Sequence, residues 1–137
     1  YELNHEIQWT SNSYWYFYKD QEEILGYLKL NTANAQTEFQ EENGLEVERI
    51  YIDIPYLRKG YGSELIEFSI SKAKELEKNY IWLGVWEENP DAIRFYKKNQ
   101  FGNLLIGSFI RIKKTLTFFK FKAFASIFWW SYLTQSI

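Results

Sequence analysis

The sequence contains no cysteine, no methionine, only two prolines and a single histidine, His5. Without cysteine the chain can form no disulfide, no thiolate metal site and no cysteine nucleophile. One histidine near the start also argues against a histidine-based metal centre and against a Ser-His-Asp triad, so no metal is predicted. Because even an initiator methionine is missing, we expect a fragment or a processed form.

Acidic residues are missing from the last third of the chain. All 18 lie between Glu2 and Asp91 with only eight lysines and arginines, whereas eight basic residues and no acid follow from Ala92 onward. Such a split is typical either of a basic arm for nucleic acid or of a terminal segment with a different origin. The polar start shows no secretory signal, and no apolar run is long enough for a transmembrane segment. A cytoplasmic protein is the default expectation.

The hydrophobic pattern predicts one domain of the α/β class. Two strands should form an antiparallel hairpin, a third strand follows, and a helix then leads to a fourth strand and a second helix. The predicted ranges are 13–18, 24–30, 45–54, 63–79, 80–86 and 90–99. The fourth strand is almost continuously apolar, which is typical of a strand with two buried faces, so Trp82 and Trp86 are expected in the core.

A basic loop with two glycines, Leu57 to Ser63, joins the third strand to the first helix. Glycines let backbone N–H groups approach an anion closely, and a helix N-terminus adds a favourable dipole. Two common nucleotide loops are excluded, because Leu65 stands where a dinucleotide fingerprint needs its third glycine and no Gly-Lys pair occurs. The loop predicts a site for a phosphate-bearing cofactor, unless its glycines serve only the turn.

Two motifs in matching order resemble the GNAT superfamily of N-acetyltransferases, which use acetyl-CoA. The run Leu57-Arg58-Lys59-Gly60-Tyr61-Gly62 resembles the family's pyrophosphate loop, with Leu57 in place of the usual polar residue. The run from Ile81 to Asn99 resembles the family's later strand and its Asn-x-x-Ala-x-x-Phe-Tyr helix, most like bacterial spermidine/spermine N-acetyltransferases. The resemblance implies a mixed, mostly antiparallel central sheet flanked by helices, with a parallel strand-helix-strand crossover at the cofactor site.

The resemblance also implies roles for individual residues. The backbone of residues 50–52 would pair with the pantetheine arm, which Asn89 would also hydrogen-bond, and Tyr96 would protonate the CoA thiolate. Glu48 is the candidate base, acting through water, and on a regular strand it would share one face with Glu46 and Ile50. The implied catalytic residues are therefore Tyr96 and Glu48. The implied cofactor-binding residues are Ile50, Tyr51, Ile52, Leu57, Arg58, Lys59, Gly60, Tyr61, Gly62, Ser63, Asn89 and Tyr96.

These roles suit the chemistry of acetyl transfer. An amine that attacks a thioester must be deprotonated, and the oxyanion must be stabilised. A phenol of pKa about 10 is a reasonable proton donor to a thiolate whose thiol pKa is about 8.5. The alternatives are that Tyr96 is only a core aromatic and that Glu48 is only a solvated carboxylate. The resemblance implies acetyl transfer from acetyl-CoA to a primary amine of a small molecule, such as a polyamine, by direct attack in a ternary complex.

The chain departs from the family pattern at both ends. Asn99-Gln100-Phe101 lacks the glycine that usually ends the helix, and the segment after it matches no family pattern. We therefore expect a GNAT domain over residues 1–110, incomplete at its N-terminus, and a divergent basic aromatic tail over residues 111–137 whose frame need not be native. Two other functions stay open, a non-catalytic CoA-binding remnant and a nucleic-acid or membrane-surface binder through the tail. Nucleic-acid binding is not the expected function, and a homodimer is left open.

Overall fold

The protein, for which we use a computed structural model, is described here over residues 2–5, 12–105 and 109–116. These residues form one sheet and two helices. Two short 3-10 turns, Ala33–Ala35 and Ile54–Tyr56, lie before and after the strand Gly44–Ile52. In chain order the elements are β1 Glu2–His5, β2 Ser13–Asp20, β3 Glu23–Asn31, β4 Gly44–Ile52, α1 Tyr61–Glu75, β5 Tyr80–Trp86, α2 Pro90–Lys98, β6 Gly102–Leu105 and β7 Phe109–Thr115. The predicted mixed α/β class is confirmed.

The seven strands lie in the order β1-β2-β3-β4-β5-β7-β6. Only β4 and β5 run parallel, through a crossover that contains α1, and the other neighbours are antiparallel, as predicted. The parallel pairing covers only three residues and ends at Glu46↔Trp82. Beyond this pair, β4 continues to pair with β3, and β5 continues to pair with β7. The sheet therefore contains an opening between residues 47–52 and 83–86, called the β4–β5 gap below.

The hydrophobic core lies between the sheet and α1, on what we call the helix face; the opposite face is the outer face. Alternation along β3, β4 and β5 and helical spacing along α1 bring apolar side chains together on this face. Full burial of each leucine, isoleucine or valine side chain stabilises the fold by about 1.5–3 kcal/mol. The buried residues of these four elements include Leu28, Leu30, Leu45, Val47, Leu65, Ile66, Ile70, Ala73, Ile81, Leu83 and Val85.

The prediction that both faces of β5 are buried is wrong at its C-terminal end. Trp82 lies on the outer face but is only 1% exposed, because the ring of Phe39 packs edge-on against it with the ring centroids 4.8 Å apart. The indole Nε1 of Trp82 also donates to Gln36 Oε1 at 2.7 Å. The loop between β3 and β4 supplies both of these covering residues. Gly84 is exposed and Trp86 is 52% exposed, so the expected core position of Trp86 is also wrong.

Helix α1 lies nearer the N-terminus than its predicted range of 63–79. It begins at Tyr61 because Gly60, with φ 89°, turns the chain into the first helical residue. It ends at Glu75, and Glu77 then takes a left-handed conformation with φ 57°. Apolar periodicity alone could not locate either end, since both are set by backbone turns.

Helix α2 ends in a Schellman motif although the expected glycine is absent. Gln100 occupies the left-handed position with φ 68° and donates its N–H to Lys97 O at 2.9 Å. The N–H of Phe101 donates to Tyr96 O at 3.1 Å, which completes the pair of bonds typical of this motif. Gln100 therefore makes the turn that glycine would make, with a backbone strain that glycine lacks.

Replacing Gln100 by glycine should stabilise the protein. The left-handed region costs an L-residue about 1–2 kcal/mol, and the greater freedom of glycine in the unfolded chain offsets part of that gain. We expect Gln100→Gly to raise the free energy of unfolding, measured by urea denaturation, by about 1 kcal/mol. Gln100→Ala keeps the strain and should bring no such gain. Equal stabilities of the two variants would contradict the strain argument.

Strands β6 and β7 form an antiparallel pair at one edge of the sheet, and β7 pairs with β5 from Trp86↔Phe109 to Tyr80↔Thr115. β7 runs across the domain boundary predicted between residues 110 and 111, so residues 111–115 form part of the sheet. Leu116 packs against the core. The remainder of the predicted tail, 117–137, lies outside the described residues. Neither helix of the described segments is long and apolar enough to cross a membrane.

Candidate active site

A cleft of about 680 Å³ opens on the helix face, beside the part of β4 that has separated from β5. The end of β4, the loop that follows it, the first turn of α1 and one side of α2 form its walls. A volume of this size is typical of small-molecule sites. The lining residues are Ile50, Ile52, Tyr56, Leu57, Arg58, Gly60, Gly62, Ser63, Asp91, Ala92, Arg94, Phe95, Tyr96 and Lys98. The two sequence motifs, distant in the chain, therefore face one cleft.

The glycine loop directs the N-terminus of α1 toward this cleft. Gly60 is the N-cap residue, and no side chain caps the helix there. The first intrahelical bond runs from Glu64 N–H to Gly60 O at 3.1 Å, so the N–H groups of Gly62 and Ser63 have no acceptor within the helix. These groups, the helix dipole and the cationic side chain of Arg58 form an arrangement that suits a phosphate group.

Gly62 brings α1 and α2 into close contact. A Cβ at this position would lie 3.1 Å from Cζ of Phe95, closer than side chains normally approach. The glycine therefore allows the first turn of α1 to lie against the ring of a residue that also lines the cleft. This contact fixes the spacing between the glycine loop and the helix that carries Tyr96.

Eight of the predicted cofactor-binding residues line the cleft, and the other four do not. Tyr51 stacks on Tyr27 at 5.3 Å, on the outer face. The Nζ atom of Lys59 lies 5.4 Å from the ring centroid of Tyr56. The ring of Tyr61 packs against that of Tyr18 at 5.3 Å. The eight lining residues are Ile50, Ile52, Leu57, Arg58, Gly60, Gly62, Ser63 and Tyr96, and the fourth residue outside the lining is Asn89.

Asn89 begins α2 as its N-cap residue. Its Oδ1 accepts from the N–H of Ala92 at 3.1 Å, and Pro90 occupies the first helical position, as predicted. The Nδ2 group makes no hydrogen bond within the described part of the chain. The contact between Asn89 and a cofactor arm stays a prediction. The Nδ2 group could donate that hydrogen bond, since Oδ1 already accepts from Ala92.

Tyr96 is the only buried residue among those that line the cleft. Its side chain is 8% exposed, and Phe95 and Phe101 pack edge-on against the ring at 5.1 and 5.8 Å. Burial raises the pKa of Tyr96 to about 12, so the phenol is protonated at neutral pH. No group of the described residues hydrogen-bonds its hydroxyl. Tyr96 is therefore a core aromatic that also lines the cleft, and its role as a proton donor stays a prediction.

Strand β4 carries a β-bulge at Glu48. Its register with β3 passes directly from Leu30↔Val47 to Lys29↔Arg49. Glu48 is thus an extra residue that faces no partner on β3, and the alternation of faces along β4 changes there.

The bulge puts Glu46 and Ile50 on opposite faces of the sheet. Ile50 lines the cleft on the helix face. Asn31 Nδ2 donates to Glu46 Oε2 at 3.0 Å and to Glu48 Oε2 at 2.6 Å, so both carboxylates lie on the outer face. The prediction that Glu46, Glu48 and Ile50 share one face is wrong. Glu48 stands at the β4–β5 gap but does not line the cleft, and its role as base stays a prediction.

Cations contact both carboxylate oxygens of Glu48. Lys29 Nζ lies 2.5 Å from Oε2, and Arg49 Nε lies 3.5 Å from Oε1. Partial burial raises the pKa of Glu48, but hydrogen bonds from Lys29 and Asn31 and the charges of Lys29 and Arg49 outweigh it. The net pKa therefore lies below the usual value. At neutral pH the carboxylate is ionised and its charge is compensated, which makes it a weak base.

Removing Lys29 should raise the pKa of Glu48. In Lys29→Met the burial remains while a hydrogen bond and a nearby charge are lost, so the acidic titration of the Glu48 carboxyl in ¹³C NMR should move to higher pH. The lowered pKa stabilises the native state above the unfolded-state pKa, so the variant should also be less stable at pH 7. Arg49→Met is the control and should shift the titration less, because Arg49 is 57% exposed and more distant. Equal shifts would contradict a specific role for Lys29.

Three charged residues of α2 that line the cleft were not predicted from the sequence: Asp91, Arg94 and Lys98. They follow one another at spacings of three and four residues, which places them on one side of the helix. This spacing is visible in the sequence and could have indicated that the three residues face the same site. Arg94 is ion-paired with Asp91, whereas Lys98 forms no ion pair with any described residue. Arg58 and Lys98 therefore give the cleft uncompensated positive charge.

Comparison with known proteins agrees with this geometry. The model of the acetyltransferase (GNAT) family matches residues 1–101. A protein named as an uncharacterized N-acetyltransferase in the pepI 3′ region of Lactobacillus delbrueckii subsp. lactis is 46% identical over 87 residues. That match covers 64% of this chain and 50% of the relative, so the chain spans about half the length of that relative.

Two solved structures have a similar fold. The PaiA N-acetyltransferase of Thermoplasma acidophilum in complex with coenzyme A has a TM-score of 0.67 at 21% identity, covering 77% of this chain and 62% of that one. A Bacillus subtilis acetyltransferase in complex with CoA has a TM-score of 0.63 at 18% identity, covering 77% and 78%. At these identities the likeness concerns the fold alone. The family match over residues 1–101, together with this fold, shows that the chain belongs to the acetyltransferase (GNAT) family.

Proposed function

We propose that the protein transfers an acetyl group from acetyl-CoA to a primary amine of a small molecule, in a complex that holds both substrates. One observation carries the proposal: the uncapped N-terminus of α1 and the hydroxyl-bearing Tyr96 of α2 line the same cleft. Membership of the family and the CoA complexes of two structural relatives support it.

The described residues fit CoA by their chemistry. The N–H groups of Gly62 and Ser63 and the guanidinium of Arg58 suit the pyrophosphate. The apolar side chains of Ile50 and Ile52 suit the pantetheine arm, and beyond Glu46 the β5 side of β4 pairs with no strand of the described residues. This free edge offers main-chain hydrogen bonds to an extended chain.

The residues of the cleft would promote acetyl transfer mainly by holding the two substrates in the right positions. Acetyl-CoA, when bound, supplies an acetyl group activated as a thioester. Transfer forms the C–N bond of an amide and breaks the C–S bond, while the amine loses one proton and the sulfur gains one. Tyr96, protonated because of its raised pKa, donates a hydrogen bond to the sulfur as negative charge develops there. Glu48, acting through water across the β4–β5 gap, is the proposed acceptor of the amine proton, and most of the rate comes from holding two substrates together.

A polyamine acceptor is a finer prediction that rests on the resemblance alone. The outer face beside the β4–β5 gap does not favour a polycation, because Lys29 and Arg49 already compensate Glu48 and because Glu46 is 2% exposed. These contacts add no support for a polycationic acceptor.

An assay with acetyl-CoA and a panel of primary amines tests the proposal. Because the chain has no cysteine, a thiol reagent would report only the CoA that is released. CoA release with at least one amine is the expected result. CoA binding in calorimetry without release would instead indicate a non-catalytic CoA-binding protein. Absence of both binding and release would contradict the proposal.

A further inference from the structure

A chain of hydrogen bonds crosses three strands on the outer face and ends at Glu48. On β2, the hydroxyl of Ser13 donates to Asn31 Oδ1 on β3 at 2.8 Å. The Nδ2 group of Asn31 donates on to β4, to Glu46 Oε2 at 3.0 Å and to Glu48 Oε2 at 2.6 Å. Asn31 is fully buried, and its strand register places it between Ser13 and Glu46 in one row across the sheet. The two carboxylates of β4 therefore share one amide group.

These contacts fix the orientation of the Asn31 amide. An ionised carboxylate only accepts hydrogen bonds, so both carboxylates must face the NH₂ group and the carbonyl oxygen must face the hydroxyl of Ser13. Each hydrogen of Nδ2 then has its own acceptor. Rotation of the amide would leave buried polar groups without partners, which is costly. Asn31 is therefore a rigid donor to Glu48.

Glu48 depends on side chains for its position. As the extra residue of the β-bulge it has no partner on β3, and its Oε2 is reached by Lys29 at 2.5 Å and by Asn31 at 2.6 Å. The lysine approaches on a flexible four-carbon stem and is 19% exposed, whereas Asn31 is short, buried and bonded at both ends of its amide. Lys29 thus supplies mainly charge, and Asn31 supplies mainly position.

The two carboxylate oxygens of Glu48 differ in what they can still accept. Oε2 is held by two donors, whereas the described group that approaches Oε1 is Arg49 Nε, at 3.5 Å. The side chain of Glu48 is 18% exposed, so water can reach it. Oε1 is therefore the oxygen available to take a proton through water.

We propose that Asn31 is a positioning residue for acetyl transfer: its amide, oriented by Ser13, holds Oε2 of Glu48 so that Oε1 stays available to accept the amine proton through water. The inference rests on the proposed acetyl transfer, with Glu48 as its base. Asn31 carries no charge and acts on the reaction only through the carboxylate that it holds.

Removing the amide should separate the position of Glu48 from its basicity. The charges that face Glu48 remain in Asn31→Ala; they are those of Lys29 on β3 and of Glu46 and Arg49 on β4. One hydrogen bond to the charged form is lost, so the acidic limb of kcat/KM and the titration of the Glu48 carboxyl in ¹³C NMR should both move to higher pH.

A carboxylate of higher pKa is a stronger base, yet we expect kcat of Asn31→Ala to fall by about tenfold, because the carboxylate is no longer held in place. The assay uses acetyl-CoA and the amine of the panel that the unmodified protein acetylates fastest. A kcat that rises together with the pKa would show that Asn31 only lowers the basicity of Glu48, and would overturn the positioning role.

Thr37→Val is the matched control. The hydroxyl of Thr37 donates to Glu46 and makes no hydrogen bond with Glu48, so this variant also loses one hydrogen bond to a carboxylate of the outer face. It should leave kcat within about twofold and the pH profile unchanged. Ser13→Ala keeps Asn31 and removes only the bond that orients its amide. It should lower kcat by about threefold, and it tests the role even if Asn31→Ala does not fold.

A double-mutant cycle shows whether Asn31 acts through Glu48. Glu48→Gln alone should lower kcat by about tenfold or more, and adding Asn31→Ala should bring little further loss. Losses that multiply would overturn the positioning role, as would an unchanged kcat in both Asn31→Ala and Ser13→Ala, while acetyl transfer stands. Failure of the unmodified protein to bind CoA and to acetylate any amine would overturn the proposed function, and the positioning role with it.

Discussion

Replacing Tyr96 by phenylalanine should lower kcat for acetyl transfer by about 10²–10³-fold and leave the Kd for CoA within about twofold. The substitution removes only the hydroxyl, while the ring keeps its edge-on contacts with Phe95 and Phe101. Full proton transfer from a phenol of pKa about 12 to a thiolate of thiol pKa about 8.5 is uphill by about 5 kcal/mol. The contribution of Tyr96 is therefore a hydrogen bond that strengthens as charge develops on sulfur.

Tyr56→Phe is the matched control for this prediction. Tyr56 also lines the cleft, but its hydroxyl donates to Glu23 at the end of the β2–β3 hairpin. We expect its kcat to stay within about threefold of the unmodified protein, since a remote hydroxyl makes no contact with the reacting atoms. Urea denaturation of both variants would show that folding is retained. If Tyr96→Phe turned over as fast as the unmodified protein, Tyr96 would be a core aromatic only.

Much of the central fold could be predicted because its signals are local. The apolar run of β5 gave its range, Tyr80–Trp86, to the residue, and the Asn89-Pro90 pair located the start of α2. Strands β1, β6 and β7 were not predicted, because short strands are defined by their pairing with distant residues. The cleft was predictable in outline, since the two motifs that line it are each read from a few neighbouring residues.

The outer face of the site was only partly predictable from the pattern of residues. The bulge at Glu48 left a signal in β4, because the apolar positions change from Leu45 and Val47 to Ile50 and Ile52, but only the pairing with β3 identifies it as a bulge. The exposure of Trp86 likewise depends on how far the covering residues Gln36 and Phe39 reach along β5. Both features decide which groups surround the β4–β5 gap, so the outer face of the gap was less accessible to sequence reasoning than the cleft.

Alanine at Gly60 and alanine at Gly62 should both weaken CoA binding by about tenfold or more, for different reasons. A Cβ at Gly60 meets no atom within 4 Å, but φ of 89° strains any L-residue, so Gly60→Ala should also lower the free energy of unfolding by about 1–2 kcal/mol. Gly62 is helical, and its Cβ would lie 3.1 Å from Cζ of Phe95, so in Gly62→Ala the ring of Phe95 or the first turn of α1 must shift by a few tenths of an ångström.

The two variants can be told apart by stability and by rescue. Alanine favours a helix by about 1 kcal/mol over glycine, which offsets the collision, so Gly62→Ala should lose CoA affinity in calorimetry with little loss of stability. Adding Phe95→Leu to Gly62→Ala removes the ring that the Cβ meets and should restore part of the affinity, whereas adding it to Gly60→Ala should restore none. If both single variants bound CoA as tightly as the unmodified protein, the N-terminus of α1 would not be the pyrophosphate site, and the two glycines would serve only the turn and the packing of the helices.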